Sequence, residues 1–409
     1  MTKDKNTLMY WLSVFFYGLP LLWSFTGMYW HPSGDKVLVG IVLLTLLFSL
    51  SFNTKDVVFN IKNNKWLAVV FLYLSFSILS YLTYGFGSRE LRAAAIAAVF
   101  FIAVPTKYYT ESAFVFLLVL GSINAIVLSV YFQIIEPTDR RYWPVNAIPF
   151  SNFTSLIVIS SFVILSFSKE RVRTILMSLA FILSLSATLM TQTRGSIIAL
   201  IIVLPMLVIS IVLLKKVYNP KFIMFSIISF FMASIVSLPF IIERYDNTVS
   251  EIEKIEDGNF DTSIGLRFSV YKLSLSFIEE APLLGHGSNT QIKLDKMLES
   301  EIINDKVHRI ASWNFHNGYL EKLVSSGIVG LILMLGLLIL PVVLSIRKVG
   351  FSFVTILIFG LSLMFSLINI TDTPFTNGHS FFSYLLFVGA LLSYIYREGS
   401  MIENTKVRK

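Results

Sequence analysis

Long apolar runs, spaced along almost the whole chain, decide what this sequence can become. A helix needs about 17–25 mostly apolar residues to cross ~30 Å of hydrocarbon, fewer where neighbours cover it. Twelve stretches qualify: about 10–30, 37–52, 66–86, 93–106, 112–133, 151–167, 174–190, 196–214, 222–242, 318–346, 351–370 and 380–396. The fourth and sixth are short. The fold expected is therefore an all-α polytopic membrane protein of about twelve transmembrane helices. The chain is 55% hydrophobic and only 14% charged, with a mean hydropathy of +0.73. That is outside the range of an ordinary soluble domain.

Charge then sets orientation. The net charge of +8 is read here as a topology signal, with basic loops facing anionic headgroups, and not as a nucleic-acid footprint. The tail before Tyr10, the loops around Lys55–Lys65, Lys107, Lys169–Arg173, Lys215–Lys221 and Arg347–Lys348, and the tail after Tyr396 together hold 18 Lys and Arg. The opposite short loops hold six: Lys36, Arg89, Arg92, Arg140, Arg141 and Arg194. The positive-inside rule makes the first set cytoplasmic, with both termini inside. The apolar run to Trp30 carries no small-residue cleavage pattern, so the first span is expected to stay uncleaved. There are no cysteines, which excludes disulfides and thiolate metal sites.

One segment breaks the rhythm. Residues 243–315 carry 13 acidic and eight basic side chains and read as a large extracytoplasmic loop with a helix from Leu266 to Glu280. A long irregular insertion of this kind is usually functional. The expected organisation is residues 1–242 as spans one to nine, 243–315 as the loop, and 316–409 as the last three spans with a cytoplasmic tail. All five histidines (His31, His286, His308, His316, His379) fall on the outer side.

Candidate chemistry gathers at the same face. Helical spacing from Phe315 onward puts His316, Tyr319, Leu320, Leu323 and Gly327 on one face, with Glu321, Lys322 and Ser325 turned elsewhere. An imidazole there is suited to moving a proton near neutral pH. Thr193-Arg194-Gly195-Ser196 interrupts two spans. A guanidinium at that depth points to function unless it merely snorkels, and its fork of donors suits phosphate oxygens. Arg267 opens the loop helix and could add a second cation near a helix start, or lie on a solvated face. Tyr271 follows on that helix. Asn317 stands beside His316. Asp372, at the end of the eleventh span, could orient a donor, balance an arginine or cap the span, and His379 lies nearby. Arg89 and Arg92 flank Glu90, where a local ion pair or a headgroup contact would explain them. The run Gly285-His286-Gly287 lacks the residues of a phosphate loop and reads as a turn. No spacing of His, Asp or Glu supports a metal site.

These motifs carry a resemblance. His316-Asn317, nine residues, Gly327, two residues, Gly330 resembles the His-Asn-x9-Gly-x-x-Gly signature of the bacterial O-antigen ligase family, whose superfamily also holds O-antigen polymerases. Thr193-Arg194-Gly195-Ser196, Gly265-Leu266-Arg267 and Gly285-His286-Gly287 are similar to its other elements. The resemblance implies a membrane glycosyltransferase of GT-C-like fold with a large periplasmic loop between spans nine and ten, in the bacterial inner membrane, acting on the periplasmic face. It implies an undecaprenyl-pyrophosphate-linked glycan as donor, lipid A-core as acceptor, membrane lipids around both, and no metal or cofactor. His316, Arg194 and Arg267 would be catalytic, and Asn317, Tyr271, Asp372, Arg89, Arg92 and His379 would bind substrate. A polymerase would share the donor and take a carrier-linked repeat as acceptor. A transporter would instead place its polar residues near the midplane, often in repeated halves.

Overall fold

The protein is described by a computed structural model covering residues 2–85, 88–215, 235 and 238–407. Every regular element among the described residues is helical. In order these are α1 (Thr2–Phe25), α2 (Gly34–Phe52), α3 (Thr54–Asn63), α4 (Lys65–Tyr84), α5 (Ser88–Ala103), α6 (Glu111–Val130), α7 (Ala147–Phe167), α8 (Arg171–Met190) and α9 (Arg194–Lys215). Then come α10 (Leu238–Glu256), α11 (Ser263–Glu280), α12 (Asn289–Glu299), α13 (Asp305–Trp313), α14 (Gly318–Val349), α15 (Phe353–Thr371) and α16 (Gly378–Val407).

Among the described residues, 10 helices are long and apolar enough to span a membrane. They coincide with ten of the twelve expected stretches. The expected fourth span is α5, a helix of 16 residues that opens with Ser88-Arg89-Glu90 and stops before Pro105. It is too short and too charged to qualify alone, and it packs among α2, α4 and α16 through buried Ala93, Ala94, Ala97 and Ala98. Small residues of this kind let helix backbones approach closely inside a membrane. The expected ninth span, 222–242, falls largely outside the described residues.

The helices α7 and α16 form the centre of the bundle, buried on nearly every side over their apolar lengths. A central helix carries polar side chains at least cost when they are satisfied, and most of those of α7 are, Ser155 Oγ being buried without a partner. Thr154 Oγ1 lies 2.7 Å from Thr188 Oγ1 of α8, and Ser151 Oγ lies 2.7 Å from Ser196 Oγ of α9. Asn152 Nδ2 donates to Ser380 Oγ of α16 at 3.0 Å. These bonds fix the ends of α8, α9 and α16 that carry the site.

The 243–315 segment holds more order than one helix. It contains the rest of α10 and all of α11, α12 and α13, the second matching the expected helix. Thr262 and Asn304 start α11 and α13, each side chain accepting a backbone N–H three residues on, as N-caps do. Val270, Phe277, Leu294, Val307, Ala311 and Phe315 form a separate small core, closed from below by Val324 of α14. The segment therefore rests on the start of α14.

That contact is built on backbone. Gly327 breaks α14 with φ 61 and ψ −164, a region open almost only to glycine. The break frees backbone groups that the Pro282–Gly287 turn then fills. His286 N–H donates to Val324 O at 2.8 Å, Gly287 N–H to Ser325 O at 3.0 Å, and Ile328 N–H to Pro282 O at 2.9 Å. A Cβ on Gly327 would lie 2.3 Å from Leu283 O, and one on Gly285 2.4 Å from Ser326 N. Gly327→Ala should accordingly destabilise the folded protein by about 1–3 kcal/mol of backbone strain, with the clash against Leu283 in addition. Gly336→Ala on the same helix, where a Cβ meets only Leu340 at 3.7 Å, should leave the melting temperature in detergent unchanged. Equal melting of the two variants would contradict this account of the break.

Candidate functional site

His316 does not belong to the helix that follows it. α14 starts at Gly318, with Asn317 as its N-cap, its Oδ1 accepting from Tyr319 N and Leu320 N. His316 itself has φ 51, an uncommon conformation for a residue with a Cβ. Three bonds impose it: His316 N–H donates to Asn314 Oδ1 at 2.8 Å, Tyr271 Oη donates to His316 O at 3.0 Å, and Gly318 N–H donates to Asp372 O at 2.9 Å. The expected shared helical face of His316 with Tyr319, Leu320, Leu323 and Gly327 is therefore corrected. One consequence is that Glu321, expected to point elsewhere, lines the same cavity as His316.

That cavity, about 390 Å³, lies at the N-terminal end of α14 and is also lined by Arg89, Glu90, Trp313, Asn314 and Asp372. A smaller cavity of about 40 Å³ lies beside it, lined by Arg140, Arg194, Arg267, Ser263, Thr371 and Asp372. Asp372 and Ile148 line both. His316 Nδ1 is 3.8 Å from Asp372 Oδ1 and is buried without a hydrogen-bond partner. So an imidazole and three guanidiniums stand on either side of one carboxylate.

Each arginine reaches its place by a different route. Arg194 is the first residue of α9, and its Nη2 donates to Glu251 Oε1 of α10 at 2.8 Å. Glu251 Oε2 accepts the N–H of Ile264 at 3.1 Å, tying the start of α11, and hence Arg267, to Arg194. The Arg194 Nε is buried and has no partner. Arg140 comes from the loop before α7 and donates to Gln192 O at 2.8 Å. Burial, and then the charges of Arg194 and Arg267, hold its guanidinium below its ordinary pKa, while an arginine remains charged regardless. Such mutual repulsion among desolvated cations is relieved by an anion. Arg140 is one residue that sequence reasoning missed. Its only signal was an Arg-Arg pair in a short outer loop, which charge counting had absorbed into topology.

The other expected site residues fall in several places. Tyr271 anchors the backbone of His316, and burial pushes its phenol up, keeping it a donor. Asn317 commits its oxygen to the α14 cap and its Nδ2 to Ile370 O at 3.0 Å, and it lines neither cavity. Arg89 lines the larger cavity at its exposed rim. Arg92 pairs with Asp35 at 2.6 Å and not with Glu90, whose partners are Lys322 and Tyr73. His379 stands near Asp35 and Arg92, and neither it nor Arg92 lines the two cavities. Gly195 faces Thr371, with 2.3 Å between its would-be Cβ and the threonine Oγ1, so its smallness seats α9 against α15.

The fold and these cavities define a multi-pass, all-helical membrane protein with its polar chemistry concentrated at one end of the bundle. Residues 179–335 match the family described as O-antigen ligase, the same family that the motifs resembled. The matched stretch includes Arg194, Arg267 and His316, but not Arg140, Glu90 or Asp372. An uncharacterised protein of Haemophilus influenzae is 29% identical over 212 residues, which is 50% of each chain; the chain thus spans about half the length of that relative. Members of that family are membrane glycosyltransferase-like enzymes, ligases or polymerases.

Proposed function

We propose that the protein is an O-antigen ligase of the bacterial inner membrane. It would transfer a glycan from undecaprenyl pyrophosphate to a sugar hydroxyl of lipid A-core on the periplasmic face. The observation that carries this is the adjacency of a three-arginine cavity and a histidine cavity across Asp372. Transfer from a pyrophosphate needs both at once. As the bond from the anomeric carbon to the phosphate oxygen breaks, negative charge grows on the leaving group. Preorganised donors stabilise that charge more in the transition state than before it. Arg140, Arg194 and Arg267 would do so, taking the role that a divalent cation has elsewhere.

On the other side, His316 would take the proton of the acceptor hydroxyl as its oxygen attacks the anomeric carbon. Base and leaving group would then lie on opposite sides of the reacting carbon, and configuration would invert. Asp372 would act on His316. With Nδ1 protonated and turned toward this carboxylate, Nε2 is left as the base, and a separation of 3.8 Å is one that closure on substrates can shorten. Asp372→Asn should lower kcat by about tenfold to a hundredfold, short of the loss of the base itself, with the Michaelis constant for the acceptor unchanged. A rise in that constant alone would make Asp372 a binding residue.

The test in cells is a gel of lipopolysaccharide from a strain lacking the gene, run beside its carrier-linked glycan. Ligase function predicts lipid A-core without O-chain while long polymer accumulates on the carrier. Core bearing a single repeat, with no long polymer, would make the protein a polymerase, which shares the donor and differs in the acceptor. An unchanged ladder would exclude both.

A further inference from the structure

The two cavities that meet at Asp372 have opposite hydrogen-bonding characters. The small one is dominated by three guanidiniums, which donate and cannot accept, with Asp372 on the wall it shares. The larger one carries three carboxyl groups, Glu90, Glu321 and Asp372, with Arg89 at its rim and the His316 imidazole on its wall. Carboxyl oxygens are hydrogen-bond acceptors.

Glu90 takes the argument furthest. It is 5% exposed, and only one of its oxygens is used: Oε2 accepts from Tyr73 Oη at 2.7 Å and from the Lys322 ammonium. The other oxygen, Oε1, is buried with no hydrogen-bond partner. Leaving a desolvated carboxylate oxygen without a donor is costly, so a residue that lines the cavity and keeps such an oxygen in reserve is suited to take a ligand's donor. Lys322 does not fill that role. It lies behind Glu90 and lines a different, much smaller internal cavity with Tyr73 and Ser326. Glu321 adds a second acceptor. Its Oε2 holds the Phe315 N–H at 2.9 Å, and the residue also lines a neighbouring cavity of about 250 Å³ bordered by Ser288, Thr290, Gln291 and Trp313. Trp313 borders both cavities and is 80% exposed. An open aromatic face among hydroxyls and amides suits a sugar ring.

We infer that the larger cavity is a sugar site that selects by charge. Glu90 and Glu321 are its specificity-determining residues, favouring a sugar that presents hydroxyls or a protonated amine and rejecting one that presents a carboxylate or phosphate there. Calling this sugar the acceptor rests on the transfer reading above, because His316 is on the same wall. The charge selectivity does not.

The test is equilibrium binding to the purified full-length protein in detergent, read by quenching of Trp313 fluorescence, with Trp313→Phe as the blank. The probes are methyl glucosaminide, methyl glucoside and methyl glucuronide at a pH where the amine is protonated. The expected order of affinity is amine, neutral, acid, with about tenfold or more between the extremes, since like charges at close range are strongly disfavoured. In Glu321→Gln, which keeps its size and can still accept the Phe315 N–H, the spread should narrow. Glu90→Gln should narrow it too. That variant also strips Lys322 of its partner, so Glu321→Gln keeps the question open to measurement if Glu90→Gln does not fold. Equal binding of the three glycosides, tighter binding of the glucuronide, no saturable quench, or an order unchanged in Glu321→Gln would each overturn the inference. An intact order in a protein that transfers no glycan would uphold the sugar site and remove the transferase reading instead.

Discussion

His316→Ala should reduce glycan transfer by about 10²–10⁴-fold, the usual contribution of a positioned general base. The variant should still fold, because the bonds that hold residue 316 use its backbone, to Asn314 and Tyr271. One complication is the φ of 51, where alanine is strained by about 1–2 kcal/mol. His316→Asn controls for it, since asparagine enters this conformation more readily and offers no base of comparable strength. Both variants should lose transfer alike while binding the donor normally. Near-wild-type transfer in either one would end the base assignment.

Arg194→Lys should be the second most damaging change, with a loss of about 10²–10³ in kcat/KM, the scale seen when one preorganised donor to a developing oxyanion is removed. The charge survives in lysine, so the loss must come from geometry. In the wild type one Nη of Arg194 is held by Glu251 at 2.8 Å, and its buried Nε has no protein partner. The planar fork can therefore serve Glu251 and a phosphate together. An ammonium on a flexible stem either satisfies Glu251 or follows the phosphate. The effect should appear mostly in kcat, because it concerns charge that grows during the reaction. Full activity in Arg194→Lys, measured with purified enzyme across donor concentrations, would reduce this residue to a point charge.

Much of the architecture was legible because a bilayer imposes a length on apolar runs. Ten spans were found that way, and α5 escaped the rule because Ala93, Ala94, Ala97 and Ala98 bury it by close packing instead of by length. In the site, Arg194, Arg267 and His316 stood in strings distinctive enough to be picked out. What periodicity could not deliver was the local break after Phe315. Once Asn317 is recognised as a cap, the helix begins at Gly318, and His316 leaves the helical register that had separated it from Glu321. Asn-Gly ahead of an apolar run is a legitimate start signal that the long-range pattern had overridden. Arg140 and Glu90 were invisible for a different reason. Their roles depend on which loop and which helix end meet in space, and nothing in their neighbours' spacing records that meeting. The pairing of Arg92 with Asp35 and of Glu90 with Lys322, where sequence proximity suggested Arg89–Glu90–Arg92, is the same lesson on a smaller scale.

The most direct measurement is a reaction with three purified components: the protein in lipid, undecaprenyl-pyrophosphate-linked glycan, and lipid A-core. The expected product is glycan joined to lipid A-core with the configuration at the transferred anomeric carbon inverted, abolished by His316→Ala. Glycan that stays on its carrier, or that is joined only to another carrier-linked glycan, would contradict the ligase assignment.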